Sequence, residues 1–378
     1  MADFAPQSLP HWRRAVLKVG SSLLAGAGGL DPLHARGLAD FIAASRAQGR
    51  EVVLVSSGAV AAGRGRIGAA GNGIVQRQAL AALGQASLMG FWQGLFEAPV
   101  AQVLLTHDDL RNRRRYLNAR TALQELLRLG ALPVVNENDT VAVDELKLGD
   151  NDNLAAAVAS LVEADLLLIA TDIAGLYSGH PLHDPAARPI ERVDAVTPAL
   201  LAVAGDAGVL GTGGMRTKLE AASKASAAGI ATALFCGRDA ATVAALGQGR
   251  LHGTFIAAHG NRISARKQWL RHAPATGTLE VDAGAQAALL RGASLLPGGV
   301  RKVDGDFRRG DVVEVRAADG TLLARGQAQY NAGESARIAG RHSRDIEAIL
   351  GFRYDEAMVH RDDLVLLQHI DTHNEATA

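Results

Sequence analysis

The sequence predicts an α/β fold: a mostly parallel central sheet flanked by helices, followed by a small mixed-β barrel. Three observations carry this. Strand-length apolar runs alternate with helical segments through the first two thirds of the chain, the pattern of βαβ units. One of them, "ADLLLIATD" at residues 164–172, is almost continuously apolar, as a strand buried on both faces must be. After about Arg266 the pattern changes to short strands of alternating character.

Taken in order, "RAVLKVGSSLL" (14–24) reads as a buried strand running into a Gly/Ser turn, and "LHARGLADFIAASRAQGR" as a helix ending at Gly49. "EVVLVSSGAVAAGR" is strand, Ser/Ser/Gly turn and small-residue helix. "APVAQVLLT" and "ALPVVNEN" are strands on either side of the helical "RYLNARTALQELLRLG". "GMRTKLEAASKASAAG" is a helix leading into the strand "IATALFCG". "RKQWLRHAPATGT" reads as a linker. Beyond it, "TLEVDAG", "DVVEVRAADGTLLARGQAQY" and "EAMVHRDDLVLL" supply strands, the middle one a hairpin turning at Asp319-Gly320. The expected domains are residues 1–266, a linker 267–277, and 278–370.

Composition narrows the function. The chain has 378 residues, 48% of them hydrophobic, enough for two cores. Its 39 basic and 39 acidic residues balance, so attraction to nucleic acid or membrane is not expected. One cysteine, Cys236, forbids an intrachain disulfide and fits a reducing cytoplasm; it reads as a small buried hydrophobe. The N-terminus shows no apolar signal region, and no apolar run reaches the ~18 residues of a membrane span. Only six of the basic residues are lysines (18, 147, 218, 224, 267 and 302), so each lysine is informative.

Several familiar signatures fail. "GRGRIG" (63–68) matches G-x-G-x-x-G but does not directly follow a strand, and no acidic partner is evident ~20 residues on. There is no G-x-x-x-x-G-K-[ST]. "HRDDLVLLQ" lacks the Asn of a protein-kinase catalytic loop, and no D-F-G follows. His180 and His183 in "HPLH" read as surface residues rather than metal ligands.

What stands out is a set of polar turns at strand ends. "KVGSS" carries Lys18, "SSGA" carries Ser57 and Gly58, and "GTGGMRTK" (211–218) precedes a helix and ends at Lys218. In parallel sheets ligands bind beyond the carboxyl ends of the strands. Small residues let backbone N–H groups approach an anion there, and a lysine ammonium suits phosphate oxygens. "VVNENDTVAVDELKLGDNDNLAAAVA" (134–159) then crowds carboxylates and amides beside a single lysine. Asn136, Glu137, Asn138 and Asp139 are expected just past a strand, and Asp150, Asn151, Asp152 and Asn153 at a helix start. One N-cap accounts for one of these residues, and the spacing fails as an EF-hand. The remaining reading is a polar pocket that holds an ammonium, orients lysines or holds Mg²⁺ against a phosphate.

At these residues a resemblance becomes specific. "VLKVGSSLL", "VSSGAVAAGR", "LNARTALQELL", "VVNENDTVAVDELKLGDNDNLAAAVA", "LLLIATDIAGLY" and "GTGGMRTKLEAA" are similar to the glutamate 5-kinases of the amino acid kinase family. The tail, "GASLLPGGVRKVDGDFRRGDVVEV…RIAGRHSRDIEAILG…HRDD", resembles their PUA domain. The resemblance implies the amino acid kinase fold and ATP-dependent, Mg²⁺-requiring phosphorylation of the γ-carboxylate of L-glutamate, the first step of proline biosynthesis. It implies that Lys18 and Lys218 stabilise the transferring phosphoryl group and that Asp152 orients them. It places Ser57, with Gly58, Asp139, Asp150 and Asn151, at glutamate. Thr171, Asp172 and the loop Thr212, Gly213, Gly214, Met215, Arg216, Thr217 and Lys218 fall at ATP, with no catalytic weight on Arg216. Metal ligands are not assigned.

The resemblance also implies a homo-oligomer, a dimer or tetramer, and delivery of a labile acyl phosphate to a glutamyl-phosphate reductase. From Gly277 on there are 12 basic and 16 acidic residues, a net of −4, so RNA is not an expected partner of the tail despite the PUA likeness. The rival readings are a sister kinase acting on acetylglutamate, aspartate, carbamate or UMP, and an RNA-binding protein with an idle kinase domain. The helical "ALAALGQASLMGFWQGLF" (79–96) is expected to serve the core rather than an interface.

Overall fold

The structure, a computed structural model, describes residues 4–68, 71, 73–142, 151–179, 184, 186–203, 214–259 and 270–367. The chain divides into two units, residues 1–261 and 262–378.

In the first unit the described residues build an eight-stranded sheet. Its strands in chain order are β1 (Arg14–Val19), β2 (Glu51–Ser56), β3 (Val100–Leu105), β4 (Leu132–Glu137), β5 (Leu166–Thr171), β6 (Arg192–Val193), β7 (Ala231–Cys236) and β8 (Gly253–Ile256). They lie side by side as β6-β8-β7-β5-β1-β2-β4-β3. Six strands from β3 to β7 are mutually parallel, and only β8 pairs antiparallel, with β7. The carboxyl ends of β1, β2, β4, β5 and β7 therefore share one edge, where the polar turns were expected.

Period-two alternation decides which face each side chain meets. Ala15, Leu17 and Val19 of β1, Leu54 of β2 and Leu168 of β5 enter one apolar core. That core also takes residues of α1 (Ala35–Ala47), α3 (Ile74–Gln93) and α7 (Ala240–Gly247). Val16, Val53 and Ile169 enter the opposite core, with α4 (Arg113–Arg128), α5 (Asn151–Leu161) and α6 (Met215–Ala227). Lys18 shares the parity of Val16. It is thereby aimed at the face covered by α5 and α6, which carry Asp152 and Lys218.

Helix α2 (Ala59–Ile67) crosses α3 at backbone distance. A Cβ on Gly63 would stand 2.0 Å from the Leu80 carbonyl oxygen, and one on Gly84 1.9 Å from that of Ala59. The glycines of "GRGRIG" thus have structural roles: Gly63 lies at the helix crossing, Gly65 packs against the backbone of Gly28 and Gly29, and Gly68 caps α2 at φ +77°.

The second unit has its own core, including Leu279, Phe307, Val313, Val315 and Tyr330. Its strands are β9 (Gly277–Val281), β10 (Val300–Gly305), β11 (Val312–Ala317), β12 (Leu322–Gln327) and β13 (Leu364–Leu366), ordered β10-β9-β11-β12-β13. The sheet is mixed: β9 runs parallel to β11 and the other neighbours are antiparallel. The hairpin β11–β12 turns at Asp319-Gly320, with Gly320 at φ +85°.

Three expectations change. "EAMVHRDDLVLL" is not one strand: a 3₁₀ turn at Arg361–Asp363 interrupts it, and the His360 ring accepts from the Asp362 amide at 3.3 Å. "HRDD" is thus a capped turn. Strand β4 runs on through Asn136 and Glu137, which pair with Leu104 and Leu105 of β3, so these two residues lie inside the strand rather than past it. Cys236 is half-buried rather than fully buried, because it ends β7 at the open edge of the sheet. His180 and His183 lie outside the described residues. No helix among the described residues is long and apolar enough to cross a membrane.

Candidate active site

At the sheet edge, Asp152 sits in the first turn of α5 and is 0% exposed. Lys18 and Lys218 are 5% and 6% exposed. The Lys18 ammonium lies 2.7 Å from Asp152 Oδ1 and the Lys218 ammonium 3.2 Å from Oδ2. Thr217 Oγ also donates to Oδ2, at 2.8 Å, and to the Gly214 carbonyl, at 2.9 Å. Burial alone would raise the carboxyl pKa of Asp152; the two lysines and the Thr217 hydroxyl outweigh it and hold the group at about 2. For Lys218 burial dominates and lowers its pKa, against the pull of Asp152. Two cations meet one anion here, which leaves a net positive charge aimed out of the sheet.

Ser57 follows β2, and its amide donates to the Val19 carbonyl at 3.1 Å, tying it to the end of β1. Gly58 next to it has φ +115°, which only glycine adopts without strain, and so starts α2. Asn151 Nδ2 donates to Ser57 Oγ at 2.7 Å and to Asn136 Oδ1 at 3.2 Å. Asp139 and Glu137 are buried nearby. Burial, then repulsion from Glu137, raises the Asp139 carboxyl to about 7, with Arg77 pulling the other way. A buried acidic pair of this kind gains when a cation arrives.

On the other flank, Thr171 ends β5 and its hydroxyl donates to Asp172 Oδ1 at 3.2 Å. The Arg238 guanidinium stands 4.0 Å from Asp172 Oδ2 and donates to the Ser22 carbonyl at 3.2 Å. Asp172 is among the charges that act on Lys218. Gly214 caps α6, Met215 is half-buried, and Arg216 points outward to Glu220 at 3.1 Å.

The structure thus brings Lys18, Asp152, Thr217 and Lys218 into one centre, with Ser57 and Asp139 past the adjoining strand ends and Asn151 at the start of α5. Asp150, Thr212 and Gly213 lie outside the described residues. Sequence reasoning left out Gln85, whose Oε1 accepts from Asn136 Nδ2 at 3.0 Å, and Arg238. Neither carries a local motif. Asn136 and Glu137 were read as part of the polar pocket but not singled out as site residues. Among the described residues no group of three or more His, Cys, Asp or Glu side chains gathers as a metal cage.

Residues 13–236 match the amino acid kinase family and residues 277–350 the PUA domain. The chain is 64% identical over 363 residues to a glutamate 5-kinase of Xanthomonas axonopodis pv. citri, which covers 93% of this chain and the whole of that relative. It is 61% identical over 375 residues to a glutamate 5-kinase of Xylella fastidiosa, covering 96% of this chain and 98% of the relative. With the kinase family matched over more than half its length and such relatives aligned almost end to end, the chain belongs to the glutamate 5-kinases of the amino acid kinase family.

Proposed function

We propose that this protein catalyses ATP-dependent phosphorylation of the γ-carboxylate of L-glutamate, giving L-glutamyl 5-phosphate and ADP, the first step of proline biosynthesis. One observation carries the mechanism: a buried aspartate that grips two lysines at the carboxyl edge of a parallel sheet. The acceptor carboxylate is already nucleophilic at neutral pH, so no general base is required. Its oxygen forms the new P–O bond as the bond between the γ-phosphorus and the β,γ-bridging oxygen breaks and ADP leaves. The obstacle is electrostatic, an anion approaching a polyanion, and fixed cations lower it.

Lys18 and Lys218 contact the phosphoryl oxygens, and Asp152 holds both ammonium groups in register. Ser57, Gly58, Asp139, Asp150 and Asn151 bind glutamate, with Asp139 opposite its ammonium group. Thr171, Asp172 and the segment from Thr212 to Lys218 bind ATP. Mg²⁺ commonly keeps several waters and binds through substrate phosphates with few protein ligands. Mg²⁺ arriving with ATP would supply charge neutralisation at the phosphate oxygens. We assign residues 1–266 to catalysis and 278–370 to the PUA domain, joined by 267–277, in a cytoplasmic homo-oligomer, dimer or tetramer. Its labile product passes to a glutamyl-phosphate reductase. RNA is not a partner in this reading.

The test is incubation with ATP, Mg²⁺ and hydroxylamine, which traps an acyl phosphate as a coloured hydroxamate. Colour with L-glutamate and not with N-acetyl-L-glutamate is the expected result. Colour with N-acetyl-L-glutamate alone would keep the chemistry and overturn the substrate, and no colour with either would overturn the proposal.

A further inference from the structure

Helix α3 turns Leu80, Ala81, Gly84, Leu88 and Trp92 into the core, as its composition suggested. A stripe that overlaps this face at Trp92 does something more. Gln78, Gln85 and Trp92 are spaced seven residues apart, which at 3.6 residues per turn returns to within ~20° of the same direction. All three reach the amino-acid half of the site. Gln78 Nε2 donates to the Asp139 main-chain oxygen at 2.9 Å. Gln85 Oε1 accepts from Asn136 Nδ2, and Asn136 Oδ1 accepts from Asn151 Nδ2. Trp92 Nε1 donates to Ser56 Oγ at 2.8 Å, and Ser56 Oγ donates to the Ser57 carbonyl at 2.8 Å.

We infer that this stripe of α3 is a positioning rail for the amino-acid site, with Gln85 as its central member. The inference rests on the reading of Ser57, Asp139 and Asn151 as the glutamate site. A side-chain amide has nearly the same shape either way round, and only its partners decide which end presents oxygen. Asn136 must turn its oxygen to Asn151, so its NH₂ needs an acceptor on the far side. Gln85 Oε1 is that acceptor, and Gln85 Nε2 is directed in turn to Gln102 Oε1 at 3.4 Å. Without an acceptor at position 85, Asn136 is free to turn over. It then presents a donor to a donor, and Asn151 loses the partner that fixes its plane beside Ser57. The lysine–aspartate centre is assembled from β1, α5 and α6, so the effect falls on glutamate binding rather than on ATP.

Two variants of the full-length protein separate these roles. Gln85→Met removes the acceptor at similar volume. Gln85→Glu keeps it, because a carboxylate oxygen accepts from Asn136 and the Gln102 amide reverses to donate. With the hydroxamate assay, Gln85→Met is expected to raise KM for L-glutamate about 10-fold, the scale of one well-placed hydrogen bond, with KM for ATP within about twofold. Gln85→Glu is expected to restore KM for L-glutamate to within about threefold of the unaltered protein. An unchanged KM for L-glutamate in Gln85→Met would overturn the inference. So would a parallel rise in both KM values with a lowered Tm, the mark of a general packing defect, or a Gln85→Glu as impaired as Gln85→Met. No turnover by the unaltered protein would overturn the functional reading and this inference with it, whereas turnover with an indifferent Gln85→Met would overturn the inference alone.

Discussion

The two halves of the site are both buried and both rich in charge, yet they are built on opposite electrostatic plans. At the end we assign to the transferring phosphoryl group, Asp152 is completely enclosed but meets two ammonium groups and a hydroxyl, so its charge is fixed before any ligand arrives. At the end we assign to the amino acid, Asp139 is buried beside another carboxylate, and burial with that like charge raises its pKa to about 7. The first arrangement is preorganised: it costs nothing to assemble at the moment of reaction. The second waits for its counter-charge. The contrast teaches that burial alone does not decide a carboxylate's state, because the partners within a few ångströms do.

The largest effect should come from breaking the fixed end. Asp152→Asn leaves two buried ammonium groups without their anion. Removing one partner of such a group typically costs about 3–5 kcal/mol, and urea denaturation should show a loss of that size together with a collapse in kcat. Unchanged stability would mean that the lysines find other company and that the centre is not held by Asp152. A smaller loss is expected on removing one cation. Lys218→Ala should lower kcat by at least ~10²-fold, the usual consequence of a missing charge at the transition state, with the fold intact by circular dichroism. Near-normal turnover would refute the role given to Lys218.

The waiting end predicts a pH effect of opposite sign. Asp139 has a raised pKa, so in the ligand-free protein its contribution to stability is complete below the unfolded value near 3.8 and is lost as pH rises through about 7. Asp152 has a lowered pKa, so its contribution is present above about 3.8 and is lost as pH falls toward about 2. Binding of an ammonium reverses the penalty on Asp139. KM for L-glutamate should therefore fall about tenfold per pH unit as pH rises toward 7, and level off above it. A flat profile in Asp139→Asn, at a raised KM, would sharpen the assignment; a flat profile in the unaltered protein would break it.

The fixed end was largely legible in the sequence and the waiting end only partly. Lysines are scarce in this chain, and Lys18 near a strand end and Lys218 after a glycine-rich turn beside a helix each stood out by residue type and position together. Strand parity then brings Lys18 to the face of α5 and α6, which periodicity alone could have foretold. Asn136 and Glu137 were placed just beyond β4 because two polar residues look like the end of an apolar run. The ladder to Leu104 and Leu105 carries the strand through them, since their polar groups find partners or neighbours in the site. Gln85 was not legible at all. A glutamine in an amphipathic helix has no local signature, and its meaning appears only when α3 is laid against β4. "GRGRIG" shows the reverse failure, in which glycines selected by close backbone packing and a positive-φ helix end imitate a ligand loop.

The contrast between a fixed and a waiting charge is tested most directly by counting protons. Titration calorimetry of L-glutamate binding at pH 6, in buffers of different ionisation enthalpy, reports how many protons leave on binding. Release of protons is the expected result for the unaltered protein, because burial and the neighbouring Glu137 raise the Asp139 pKa to about 7, and almost none is expected from Asp139→Asn. A binding heat that does not depend on the buffer in the unaltered protein would contradict it, and Asp139 would then already be a carboxylate before the substrate arrives.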